Sequence, residues 1–129
     1  MEAFNDLTCP KCVYQGQPFI TFHLKAGKIA INGVAVKLMD LKVGGMVEFY
    51  RKEIDGKNEW YIAPVHTGGF KLSKHTQSRT LVFTRKELVI SIYNSLFYEG
   101  DTARAYVLRK RRVEDKWVYK LDTSELKNK

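Results

Sequence analysis

The chain of 129 residues is poor in cysteine, proline and histidine, with two, three and three of each. Both cysteines stand in one Cys9-Pro10-Lys11-Cys12 element. A structural zinc site draws on four ligands, commonly two such pairs, and no second pair follows. His23, His66 and His75 stand at no metal-type spacing. A thioredoxin-like motif needs a strand before it and a helix after it; residues 5–8 and 13–16 supply neither. Three readings of Cys9 and Cys12 stay open: a reduced, unstructured pair, half of a metal site completed by histidine or a second chain, or a redox pair. Long apolar runs are also missing, none approaching the ~20 residues of a membrane span. The start, Met1-Glu2-Ala3-Phe4-Asn5-Asp6, is acidic and has no apolar core. It does not read as a secretory signal, so a cytoplasmic location and no membrane partner are expected.

A catalytic set is absent as well. Asp40, Asp55, Asp101, Asp115 and Asp122 fall mostly in expected turns, where aspartate is favoured for local reasons. No nucleophile, base and orienting group assemble from the sequence. The expectation is a protein that is not an enzyme and has no cofactor.

Acidic charge is scarce in one half only. The net charge is +8, of which residues 1–65 carry +1 and residues 66–129 carry +7. Such asymmetry points to a polyanion partner on the C-terminal half, or to a solvated basic surface that aids solubility. The densest cations are Arg109, Lys110, Arg111 and Arg112. On a strand, Arg109 and Arg111 face one side and Lys110 and Arg112 the other. With Arg79, Arg85, Lys86 and Arg104 they form the expected nucleic-acid-binding set, acting by phosphate neutralisation and counterion release. The competing reading of the run is a charged edge strand that blocks aggregation.

What is present, and organises the rest, is an internal repeat. Residues 1–17 read as a tail, polar and without periodicity. In the first unit, 19–65, Ile20, Phe22 and Leu24 share a strand face, and Ile29 and Ile31 mark a second strand. Asn32 suits a helix N-cap, followed by Val34, Ala35, Leu38 and Met39 at helical spacing. Gly44-Gly45 turns the chain into a strand, Asp55-Gly56 signals a hairpin, and Trp60 leads the return strand. The second unit, 70–122, repeats the order: short strand, Leu81-Val82-Phe83, helix, Gly100-Asp101, a strand over 104–111, a Glu114-Asp115 turn and a Trp117-led strand. Thr84-Arg85-Lys86-Glu87 fits a capping box, predicting Thr84 as cap of a helix near 85–97. Each ββαββ unit is too small to stand alone. The expected fold is therefore α+β and β-rich. It is a small barrel or two-layer sheet from two repeats with pseudo-two-fold symmetry, one domain over 18–123 with a tail at 124–129. Trp60 and Trp117 hold equivalent places and are both expected in the core.

Lys28-Ile29-Ala30-Ile31-Asn32, the short helix ending Leu38-Met39-Asp40-Leu41, and the stretch from Lys42-Val43-Gly44-Gly45 into Met46-Val47-Glu48-Phe49 resemble the AbrB/MazE-type swapped-hairpin transcription factors. The second unit keeps that family's glycine–aspartate turn as Gly100-Asp101. In the family two chains intertwine into one DNA-binding barrel. The resemblance therefore implies a fused pseudo-dimer, monomeric or paired as a homodimer, that regulates transcription by binding DNA. It places Arg85 and Lys86 where the family's helix reaches DNA. The double-psi barrels are a neighbouring resemblance with other functions. The alternative to DNA or another polyanion as partner is a protein: an interaction module of mobile-element, phage or antitoxin type, using a strand edge.

Overall fold

The computed structural model describes residues 16–75 and 78–126. The first strands are β1 (Phe19–His23) and β2 (Lys28–Ile31), followed by helix α1 (Gly33–Leu38) and the long hairpin β3 (Met46–Ile54) and β4 (Lys57–Val65). Two short strands, β5 (Phe70–Lys71) and β6 (Ser73–Lys74), precede β7 (Leu81–Thr84) and helix α2 (Lys86–Ser95). A second long hairpin, β8 (Thr102–Val113) and β9 (Lys116–Asp122), leads into a 3-10 turn at Ser124–Leu126.

One antiparallel sheet contains all nine strands, in the order β5-β3-β4-β9-β8-β1-β2-β7-β6. Its two ends, β5 and β6, are neighbours in the chain, separated by Leu72 alone. The sheet thus curls into a nearly closed, barrel-like form with little free edge. Leu72 is fully buried, and its amide and carbonyl bond to Gly45 and Gly44, each at 2.8 Å. The stretch expected as one short strand is thereby split so that 70–71 pair with β3 and 73–74 with β7.

Alternation builds the interior. Ile20 and Phe22 of β1, Ile29 and Ile31 of β2, and Leu81 and Phe83 of β7 point inward, as a period of two requires. Bulk is matched across strands: Phe22 lies opposite Ala103, and Ile20 opposite Ala105. Those alanines leave room for the large partner in a tight barrel. Phe49, Phe70 and Phe83 form an aromatic stack, the last two at 4.9 Å. Helix α2 adds Val89, Ile92 and Tyr93 to the same core. Each fully buried large aliphatic or aromatic side chain contributes about 1.5–3 kcal/mol.

The turns follow their residues. Asp55 and Gly56 take φ of 52° and 78°, the left-handed pair of a two-residue hairpin. Glu114 and Asp115 take 49° and 67° without a glycine. Asn32 caps α1, its Oδ1 accepting from the Ala35 amide at 2.9 Å.

Three expectations change. Thr84 is not a cap. Its pairing with Lys28 keeps it in β7, and Arg85 occupies the N-cap of α2 with no side-chain cap bond. The Arg85 amide instead binds the Gly27 carbonyl at 2.8 Å. Gly27, at φ 64°, is required there, because a Cβ would lie 2.7 Å from that of Lys86. Trp117 is not in the core: it is 57% exposed, against 5% for Trp60. Trp60 stays within the barrel and donates to Ser95 Oγ at 2.8 Å, whereas Trp117 sits on a hairpin arm beyond the short β4–β9 pairing at Tyr61 and Ile62. Finally, Leu126 does not belong to a tail; the turn after β9 buries it completely.

Candidate nucleic-acid interface

The first half of β8 alternates as a barrel strand should, with Ala103, Ala105 and Val107 buried and Thr102 and Arg104 exposed. Continued unbroken, that alternation would turn Arg109 and Arg111 toward the core side. A bulge intervenes. Val107 pairs with Leu121 and Lys110 with Tyr119, so Leu108 and Arg109 together face the single residue Lys120. One extra residue inverts the parity of everything after it. Arg111 now lies opposite Val118, in the small outer cluster with Tyr61 and Ala63, and so shares the outward side of Arg104. Lys110 and Arg112 fall on the side of Trp117, which pairs directly with Arg112.

The hairpin arm is anchored by a few of its charges. The Lys52–Glu114 ion pair at 3.6 Å and Lys116, 4.7 Å over the Tyr50 ring, hold the tip near β3. Lys120 binds Glu59 at 2.9 Å and Arg112 binds Asp115 at 3.4 Å. Glu59 also accepts from the Tyr61 hydroxyl at 2.8 Å. The Lys120 hydrogen bond, with that of Tyr61, holds the Glu59 carboxyl below its ordinary pKa. Burial, reinforced by Glu59, pushes the Tyr61 hydroxyl up to about 12. Arg109, Lys110 and Arg111 form no ion pair among the described residues, and Lys110 lies 5.7 Å from the exposed Trp117 ring. What projects from the arm is a set of exposed cations beside the exposed Trp117 ring.

The other expected cations sit elsewhere. Arg104 lies on the outer face of β8, its guanidinium 4.5 Å over the Phe19 ring. Arg85 stands at the start of α2, 5.2 Å over Phe70, with Lys86 next to it. Arg79 packs beside Gly33 at the start of α1. The structure brings residues 109–112 together on one arm and places Arg79, Arg85 and Lys86 at the helix starts. Phe19 and Tyr106, which frame Arg104, were not expected as site residues. Their signal was legible in the alternation, since Ile20 and Phe22 inward put Phe19 outward.

Among the described residues, no three His, Cys, Asp or Glu side chains gather to hold a metal ion, and no helix is long and apolar enough to cross a membrane. Cys9 and Cys12 lie outside the described residues. No protein family, no curated protein and no solved structure matches the chain.

Proposed function

We propose that this protein is a non-enzymatic nucleic-acid-binding module, with DNA as its target, that grips the phosphate backbone through the β8–β9 arm. The carrying observation is the bulge in β8. It sets Arg111 on the outward side with Arg104 while leaving Lys110 and the exposed Trp117 together on the other. Phosphate contacts of this kind supply affinity and salt dependence without sequence choice. The strand pairing supports the fused pseudo-dimer reading; the AbrB-like regulatory role is part of the proposal and rests on the sequence resemblance. β1 pairs with β2 and β8, and the β5–β6 stretch pairs with β7 and β3. Exchanging first-half for second-half strands thus reproduces the same neighbours, and β2–β7 and β4–β9 join the halves.

The test is a gel-shift titration with mixed-sequence duplex and with single-stranded DNA at about 50 and 200 mM salt. A shift of either at the lower salt that weakens steeply at the higher supports the reading; no shift of either at the lower salt overturns it. One observation favours the protein-interaction alternative. Phe97 follows α2 at φ 56° and is 77% exposed, beside Leu108. A large apolar side chain held in the left-handed region and facing solvent suits contact with another protein.

A further inference from the structure

We infer that the outer face of β1 and β8 is a base-stacking site, and that the nucleic acid this protein takes is single-stranded. The inference rests on the phosphate-binding reading of the arm and narrows its target.

The face is built by strand parity. Because Ile20 and Phe22 point inward, Phe19, Thr21 and His23 point outward, and their partners across the ladder are Tyr106, Arg104 and Thr102. Phe19 and Tyr106 meet edge to face, with centroids 6.1 Å apart. Arg104 lies over Phe19 at 4.5 Å and is itself exposed. Its guanidinium is thus a ready-made flat tier, open on one side, and guanidinium planes and aromatic rings are the surfaces on which unpaired bases stack. Lys28 of β2 extends the positive charge beside His23. A shallow cavity of about 280 Å³ runs over Phe19, Thr21, His23 and Lys28 toward Thr80. That volume is at the small end of ligand sites and suits one planar base at a time.

Charge complementarity selects the occupant. None of the outward side chains of β1, β2 and β8 up to Tyr106 is a carboxylate. Among the described residues two carboxylates stand at the edge of this face and keep their charge: Asp101, which accepts from the Lys25 amide at 2.9 Å, and Asp122, opposite Tyr106, which accepts from the Ser124 amide at 3.1 Å. Duplex DNA keeps its bases stacked inside and offers this face only phosphates, which leaves the aromatic pair unused. A single strand offers both groups. Arg104 and Arg111 share the outward side of one strand, about 20 Å apart at the rise of a β-strand. A single strand laid along β8 therefore meets the stacking tier first and the cationic arm next.

The experiment compares three fluorescent probes of equal length, about 16 nucleotides, by anisotropy on the full chain: oligothymidylate, a strand of abasic sites with the same phosphates, and a duplex. Oligothymidylate binding about tenfold tighter than both others is the expected result. Arg104→Lys, which keeps the charge and removes the flat guanidinium, and the double variant Phe19→Leu/Tyr106→Leu should each lose most of that preference. Arg104 is exposed, so its variant tests the tier even if the double variant folds poorly. Equal binding of all three probes, or a duplex preference, overturns the stacking site and leaves the backbone reading standing. No binding of any probe overturns both.

Discussion

Replacing Asn32 with alanine removes three hydrogen bonds at the junction of β1 and α1. Its Oδ1 accepts from the Ala35 amide at 2.9 Å and the Phe19 amide at 3.1 Å, and its Nδ2 donates to the Gln17 carbonyl at 2.8 Å. Loss of the cap bond costs about 1 kcal/mol. The part-buried Phe19 amide, left without its acceptor, costs about 1 kcal/mol more. The Gln17 carbonyl is exposed and water replaces its donor at little cost. The total is about 2 kcal/mol, which with a urea m-value of about 2 kcal/mol/M lowers the unfolding midpoint by about 1 M. Arg85→Ala is the internal control, because Arg85 holds the equivalent helix start without a side-chain cap bond. It should cost no more than about 0.5 kcal/mol, chiefly from the exposed contact with Phe70. Urea titration followed by far-UV circular dichroism reads both. A loss below about 0.5 kcal/mol for Asn32→Ala, or equal losses for the two variants, would refute the capping argument.

Three other perturbations have defined outcomes. The paired substitution Glu114→Asn/Asp115→Gly puts residues suited to positive φ at 49° and 67°, a gain of about 1 kcal/mol, and gives up the exposed Lys52–Glu114 and Arg112–Asp115 pairs, each worth about 0.2–0.3 kcal/mol, for a net stabilisation of about 0.5 kcal/mol; a lower melting temperature contradicts this. Tyr50, Tyr61 and Tyr93 are each pushed up to about 12, mainly by burial. Their folded values exceed the ordinary value near 10, so the stability they contribute is complete below about pH 10 and is lost as pH rises toward about 12. Denaturation midpoints measured across that window should fall, and less steeply in Tyr93→Phe. Trp117→Phe should leave a fluorophore shielded from acrylamide. Trp60→Phe should leave a strongly quenched one and cost about 1 kcal/mol for the lost bond to Ser95; similar quenching in both contradicts the buried and exposed assignments.

Much of the architecture was legible because local chemistry and tertiary pairing agree. Asp55-Gly56 and Glu114-Asp115 do turn the two long hairpins, and Asn32 does cap α1. The misreadings arise where a distant strand decides. Thr84 carries capping chemistry, but Lys28 across the ladder holds it extended and moves the cap to Arg85. Trp117 has the apolar bulk of a core residue, yet it lies on an arm where only Arg112 is opposite. The β8 bulge has no glycine to announce it, since Leu108 and Arg109 look like any strand pair. Its effect on the candidate site is decisive, because the side on which each cation falls depends on it. Closure of the sheet at Leu72 is equally hidden, resting on bonds to Gly44 and Gly45 that lie far back in the chain.

The most direct test of the proposal that the β8–β9 arm binds phosphate is the salt dependence of affinity, as log Kd against log salt, for wild type and Arg109→Ala/Arg111→Ala. The two cations have no ion-pair partner among the described residues to lose, so the double variant should fold as the wild type does. It should bind more weakly, with a slope flatter by about one unit per lost phosphate contact. Lys25→Ala/Lys42→Ala, drawn from the half with net charge +1, should leave both affinity and slope nearly unchanged. Identical slopes for wild type and the arm variant, or an equal loss in the Lys25 and Lys42 variant, would contradict the assignment of the arm.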